Sequence, residues 1–277
     1  MIDQYAVIGN PIQQSKSPLI HAMFAKATGH LMDYARIEGP LGGFAAAADA
    51  FRAAGGRGMN VTAPFKLDAF AYATERSKRA TLAGASNALK FESSLEGAHI
   101  LAENFDGVGL VRDVVDNLQC PMKGKRVLLL GAGGAARGVL LPLLEQRPTL
   151  LMLANRTPAK AAELAALVAD QGPVRACGLQ DLAGQSFDLV FNSTSSSLSG
   201  ELPAVPPEAF APGCLAYELV YGKGLTPFLK FARGAGAARL ADGVGMLAEQ
   251  AAEAFFWWRG VRPQTREVID KITVPLA

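Results

Sequence analysis

The 277-residue chain carries 27 Lys and Arg against 25 Asp and Glu, a formal charge of +2, with half of its residues apolar and 19% charged. That is the composition of a globular protein of two ordinary domains or one large one, and it sets disorder aside. No Lys/Arg run is dense enough for a nucleic-acid or membrane surface, so neither partner is expected.

Cys120, Cys177 and Cys214 are scattered and odd in number, which suits reduced thiols in a cytoplasmic protein better than a disulfide frame. His21, His30 and His99 share no ligand spacing with them, so no metal is expected. Met1 to Tyr5 shows no basic region before an apolar stretch, and the apolar run Val139–Leu144 is short and contains Pro142. Neither a signal peptide nor a membrane span is expected.

In chain order, Tyr5–Ile8 reads as a strand stopping at Gly9-Asn10-Pro11. Ser17-Pro18 reads as a helix cap and first position, with Leu19, Ile20, Met23, Phe24 and Ala27 on one face and Gly29 as the stop. A second helix runs from Phe44 to Ala54, Gly58–Thr62 is a strand, and Pro64 marks another helix start. Leu89–Glu92 and His99–Glu103 resemble a hairpin around Gly97. A helical stripe from Val108 to Leu118 then leads to Pro121.

Beyond it the pattern becomes regular. Strands at Arg126–Leu130, Leu150–Ala154, Val174–Cys177, Phe187–Asn192 and Leu215–Val220 alternate with helices at Gly134–Gln146 and Pro158–Asp170. Such alternation predicts a parallel sheet covered on both faces. Val244–Trp258 is an Ala-rich helix and Pro263 opens a short final one, a tail expected to pack back on the first domain.

Arg126–Leu130 runs into Gly131-Ala132-Gly133-Gly134-Ala135-Ala136 and a helix, the G-x-G-x-x-G/A fingerprint in its strand–turn–helix setting. Gly131 makes the turn, Gly133 admits the pyrophosphate and Ala136 permits close helix packing, while the helix N-terminus offers unpaired N–H groups. A plain turn between packed elements is the bland alternative. The second strand ends in Asn155-Arg156-Thr157, with Lys160 one turn on, where an NAD-binding chain places an acid. An adenosine 2′-phosphate wants such donors, so NADP(H) is the expected cofactor.

Polar residues cluster where first-domain elements begin or end: Ser15-Lys16-Ser17-Pro18, Asn60-Val61-Thr62-Ala63-Pro64-Phe65-Lys66, Ser86-Asn87-Ala88 and Asn104-Phe105-Asp106-Gly107. Each has a structural alternative: Ser17 and Asp106 suit helix caps, and Thr62 suits a strand end. Together, with Gly9-Asn10-Pro11, the glycine turn, Asn155-Arg156-Thr157, Asn192-Ser193-Thr194-Ser195-Ser196, Lys223-Gly224-x-Thr226-Pro227 and Ala241-Asp242-Gly243-x-Gly245-Met246, they resemble the shikimate dehydrogenase family along nearly the whole chain.

The resemblance implies a two-domain α/β fold, a substrate domain at 1–106 plus 241–277 and a doubly wound Rossmann-type NADP-binding domain at 107–240. It implies reversible reduction of 3-dehydroshikimate to shikimate with NADPH, by a monomer or homodimer. Lys66 and Asp106 match the catalytic pair, Ser15, Ser17 and Tyr221 the carboxylate site, and Thr62, Asn87 and Gln250 positions near the ring oxygens. Gly131, Ala132, Gly133, Gly134, Ala135, Asn155, Arg156, Thr157 and Lys160 match the cofactor site, with Leu219 and Gly243 lining the nicotinamide.

Phe105, Ala88, Glu218 and Ser197 depart from the commonest pattern, the first two at places expected to border the ring pocket. The chemistry stands without the name: hydride transfer to a ketone leaves an alkoxide that needs one proton, and one positioned acid/base suffices. Alternatives are a sister activity on quinate or another hydroxylated ring acid, a folate-type or amino-acid dehydrogenase, or a sensor without catalysis. The last two leave the serine pair, or the retained Lys66 and Asp106, unexplained.

Overall fold

Along β1 (Asp3–Gly9) five consecutive residues from Tyr5 are buried, the mark of a strand covered on both faces. The computed structural model describes residues 2–94, 97–194, 196 and 200–276. By contacts the chain forms two units, Met1–Gly109 with Ala248–Lys271, and Leu110–Leu247 with Ile272–Ala277.

After β1 come α1 (Ser17–Thr28), β2 (Met32–Glu38), α2 (Phe44–Ala53), β3 (Gly56–Val61), α3 (Lys66–Tyr72), β4 (Glu75–Arg76), α4 (Lys78–Ala83), β5 (Ala88–Ser94), β6 (Gly97–Glu103) and α5 (Asp106–Arg112). The strands make one sheet in the order β2-β1-β3-β5-β6-β4. β1 pairs in parallel with β2 and β3, while β5 is antiparallel to both β3 and β6. The residues after β1, β3 and β6 and the residue before β5 therefore share one edge of the sheet. The β5–β6 hairpin expected around Gly97 forms, and Leu95 and Glu96 lie outside the described residues.

Strand alternation sorts the side chains. Met59, Val61 and Leu89 join Ile8, Phe44, Phe65 and Ala69 on one face. Asn60 and Ala88, one residue out of step, turn to the other. That face carries Tyr5, Ala88 and Phe105.

The second unit continues through a π-helical turn at Asp113–Asn117 to β7 (Arg126–Leu130), α6 (Gly134–Glu145), β8 (Leu150–Asn155), α7 (Pro158–Ala166), β9 (Val174–Gly178), β10 (Phe187–Asn192), β11 (Phe210–Glu218), α8 (Pro227–Gly234) and β12 (Arg239–Asp242). All its strands are parallel, in the order β12-β11-β10-β7-β8-β9. This is the doubly wound arrangement, and its order reverses between β7 and β10. β7, β8 and β10 are buried along nearly their whole length, as a sheet with helices on both faces requires.

The chain then forms α9 (Val244–Arg259) and α10 (Arg266–Ile272). Ala254 and Trp258 of α9 pack on Tyr5, Ala88 and Phe105, and the Trp258 indole donates to the Leu89 carbonyl at 3.0 Å. The tail returns to the first sheet as expected. Burying such rings contributes about 1.5–3 kcal/mol each.

Several expectations need correction. Ser17 is the first residue of α1, not its cap: Lys16 holds the cap position and no side chain caps the helix. The helix expected to start at Pro64 starts at Lys66. The stripe from Val108 to Leu118 is an α-helix that widens into a π turn after Arg112. α7 stops at Ala166 rather than Asp170, and β11 begins at Phe210. β2 and β12 are edge strands carrying Asp33, Arg36, Glu38 and Arg239, charges that protect an edge and hide it from an apolar pattern. The boundary expected at 240/241 runs through β12, which pairs with β11.

Candidate active site

Lys66 is the first residue of α3, and its ammonium lies 2.6 Å from the Asp106 carboxylate. Asp106 opens α5, where a carboxylate is favoured by the helix dipole. The pair is half-sheltered, with 34% and 12% of the two side chains exposed. The other Asp106 oxygen accepts from Asn87 Nδ2 at 2.8 Å, and the same amide donates to Gln250 Oε1 at 3.2 Å. Four of the expected residues, Lys66, Asp106, Asn87 and Gln250, thus meet at the shared edge of the first sheet.

The corner carrying Asp106 is tightly held. Asn87 Oδ1 accepts from the Phe105 amide at 2.8 Å, and Asn104 Oδ1 accepts from the Asp106 amide at 3.1 Å. Buried Glu103 accepts from Ser77, Arg79 and the Asn104 amide. Ser86 donates to the Ala88 and Glu103 carbonyls, and its amide donates to the Lys66 carbonyl.

Ser15 and Ser17 form a pair, Oγ to Oγ 3.2 Å, and Arg36 fixes the Ser15 carbonyl with two donors at 2.7 and 3.2 Å. Thr62 follows β3 beside Gly9, its amide donating to the Ile8 carbonyl. Phe105 and Ala88, expected beside the ring pocket, are both buried in the cluster with Tyr5, Ala254 and Trp258, and Phe105 meets Trp257 edge to face at 5.7 Å. Their backbones border Asp106 and Asn87, while their side chains face the α9 core.

The layer beneath these residues carries no motif in the sequence. His21 is fully buried, stacked on Tyr34 with ring centres 4.2 Å apart, and its Nε2 lies 3.1 Å from Asn60 Oδ1. Burial pushes the imidazole down to about 3, against the opposing effect of its hydrogen bond to Asn60 Oδ1. Unfolding returns it to 6.5, so below that pH the unfolded chain binds a proton that the folded chain excludes. Between pH 6.5 and 3 this group makes stability fall with falling pH, by about 1.4 kcal/mol per unit. His21→Phe is expected to flatten the acid side of the profile in urea unfolding at stepped pH; an unchanged slope would contradict the neutral ring.

In the second unit the glycine turn follows β7 at the strand-order reversal. Gly131 has φ +105°, and a Cβ there would lie 2.8 Å from Ser193 Oγ, so only glycine fits between the ends of β7 and β10. A Cβ on Gly133 or Gly134 would meet nothing within 4 Å, leaving an open approach to the first turn of α6 beside Ala132 and Ala135. Neither α6 nor α7 has an acidic residue in its first turn or a side-chain cap. Arg156, Thr157 and Lys160 at the start of α7 are exposed, and Asn155 Nδ2 donates to the Thr157 carbonyl at 3.0 Å. Among the described residues neither Arg156 nor Lys160 meets a carboxylate. Arg137, exposed one turn into α6, is a third such cation, outside the glycine motif but only four residues beyond Gly133. Cations at helix N-termini are unfavourable without an anion, so this set fits a cofactor bearing a pyrophosphate and a further phosphate.

Leu219 and Gly243 also come together: a Cβ on Gly243 would lie 2.2 Å from the Leu219 carbonyl oxygen. Tyr221 is partly exposed just after β11, and burial raises its phenol above the ordinary value. Ser195 and Ser197 lie outside the described residues.

Three family models match the chain in order: the shikimate dehydrogenase substrate binding domain at 7–89, shikimate / quinate 5-dehydrogenase at 113–199, and the shikimate 5′-dehydrogenase C-terminal domain at 243–272. The shikimate dehydrogenase (NADP(+)) of Nitrosospira multiformis is 56% identical over 272 residues, 98% of each chain. The chain belongs to the shikimate dehydrogenase family. The crystal structure of an Ael1 enzyme from Pseudomonas putida is 57% identical with TM-score 0.94, covering 99% of this chain and 100% of that one. The shikimate 5-dehydrogenase of Thermus thermophilus, solved in complex with NADP(H) and shikimate, is 30% identical with TM-score 0.83 and covers 98% of both chains. Within this family the two-domain α/β fold expected from sequence is the one found, with the all-parallel doubly wound sheet in the unit that carries the glycine turn.

Proposed function

We propose that the chain catalyses the reversible NADPH-dependent reduction of 3-dehydroshikimate to shikimate, an oxidoreductase step on a CH–OH group in chorismate and aromatic amino-acid biosynthesis. The observation that carries this reading is the Lys66–Asp106 pair, held beside Asn87 and Gln250 in a chain of this family. The reading takes with it a cytoplasmic location and a monomer or homodimer. No helix among the described residues is long and apolar enough to cross a membrane.

Bound NADPH supplies the hydride. Gly131 to Ala135 and the first turn of α6 receive its pyrophosphate, helped by Arg137, while Asn155, Arg156, Thr157 and Lys160 take the 2′-phosphate. Leu219 and Gly243 line the nicotinamide. Lys66 gives its proton to the oxygen formed at the reduced carbon and takes it back in the reverse direction. Asp106 accepts from the ammonium and orients it. Asn87, Thr62 and Gln250 orient the ring oxygens. Ser15, Ser17 and Tyr221 donate hydroxyls to the substrate carboxylate, recognising it by geometry rather than by charge.

Initial rates of NADP⁺ reduction test the reading directly. Shikimate is expected to be turned over with NADP⁺ strongly preferred to NAD⁺, and quinate to be a poor substrate. Quinate turned over as well as shikimate, or shikimate not at all, would overturn the substrate assignment.

A further inference from the structure

The second unit holds a buried carboxylate that the proposed mechanism does not use. Asp113 opens the π turn after α5, is 4% exposed, and accepts from Asn117 Nδ2 at 3.1 Å. Its other oxygen accepts from the Tyr217 hydroxyl at 2.7 Å, across 104 residues of chain. A buried carboxylate is costly unless donors surround it, so Asp113 fixes the groups that it touches.

Tyr217 lies fully buried on β11, its ring centre 5.8 Å from that of Phe191. Burial, and after it the neighbouring Asp113 charge, raises the phenol well above its ordinary value, so the hydroxyl remains a donor. The same carboxylate presses on the first turn of α9. A Cβ added at Gly245 would overlap Asp113 Oδ1 and Cγ, so only glycine admits this close approach.

Both neighbours of Asp113 stand two residues from the wall proposed for the nicotinamide. Tyr217 is two before Leu219, and Gly245 is two after Gly243. The wall itself is backbone against backbone. The Leu219 amide donates to the Asn192 carbonyl at 3.0 Å, and the Gly243 amide donates to the Val220 carbonyl at 3.3 Å. Gly243 has no room for a side chain against the Leu219 carbonyl. One buried carboxylate therefore ties together the two segments of which that wall is made.

We propose that Asp113 is a positioning residue that acts through Tyr217 and Gly245 to set the spacing of Leu219 and Gly243, and with it the placement of the nicotinamide. The inference rests on the role proposed above for Leu219 and Gly243 and deepens it. Hydride transfer needs the reacting atoms about 3–3.5 Å apart, and a misplacement of about 1 Å can cost about a hundredfold in rate.

The test uses Tyr217→Phe, Asp113→Asn and the double variant, read in two ways. In the free proteins, hydrogen exchange is expected to quicken at the Leu219 and Gly243 amides while β7 and β8 stay protected. The second reading uses NADP⁺ and shikimate deuterated at the carbon that gives up the hydride. Turnover is expected to fall about tenfold and the isotope effect on kcat to rise, with KM for shikimate nearly unchanged. The double variant is expected to lose little more than the worse single, since both break one contact. Tyr217→Phe keeps the buried ring, so it carries the test alone if Asp113→Asn does not fold. Unaltered exchange at the two amides, a lower turnover without a larger isotope effect, or multiplicative losses would overturn the inference. So would variants that melt earlier yet turn over normally. Exchange in the free protein needs no substrate, so wild-type turnover of shikimate, measured alongside, separates failure of this inference from failure of the functional reading.

Discussion

Replacing Lys66 with methionine is expected to lower turnover by about 10²–10⁴, the usual cost of losing a general acid/base. Methionine keeps an unbranched stem of similar length and removes the charge. Among the described residues Lys66 makes one charged contact, the 2.6 Å bond to Asp106, and the buried carboxylate keeps its Asn87 donor when the ammonium is removed. KM for shikimate and for NADP⁺ should therefore change far less than turnover. Asp106→Asn should also lose turnover, because an amide does not hold the ammonium as a carboxylate does. Its Asn87 bond can survive, since the amide oxygen still accepts. Circular dichroism and melting should show both variants folded. Near-normal turnover by Lys66→Met would remove the mechanism and leave the family and fold standing.

Arg156→Ala is expected to raise KM for NADP⁺ about ten- to a hundredfold and leave the weaker use of NAD⁺ nearly unchanged. Charge-assisted hydrogen bonds are worth about 1.5–3 kcal/mol, which sets that range. Arg156 stands just ahead of α7, exposed and without an acidic residue in the first turn to answer it. Among the described residues its side chain meets no carboxylate, so its removal is expected to cost the fold little. Steady-state kinetics with both cofactors decides the matter: equal losses with NADP⁺ and NAD⁺ would mean that Arg156 shapes the loop rather than reading the 2′-phosphate.

The parts of this protein legible in its sequence are those written by local pattern. β7, the glycine turn and α6 are contiguous, and β7 and β10 fall at the expected bounds because their apolar runs are bounded by turn residues. The edge strands β2 and β12 were hidden by the charges that protect them. The Lys66–Asp106 pair came from resemblance, since nothing local joins the two residues across 40 positions. The Tyr34–Asn60 and His21–Asn60 bonds, 26 and 39 residues apart, carried no signal at all until the sheet brought β2, β3 and α1 together. Ala88 is the instructive error. Its neighbour Asn87 faces the Lys66–Asp106 pair, and strand alternation alone predicts that Ala88 should turn to the opposite side.

Lys66 and Asp106 are expected to work as one proton-transferring unit. The turnover number of Lys66→Met/Asp106→Asn with saturating shikimate and NADP⁺, set beside the two single variants, tests it most directly. Residues acting as a unit are grossly non-additive, so the double variant should lose little beyond Lys66→Met alone. A loss equal to the product of the two single losses would show that each acts independently and would contradict the claim.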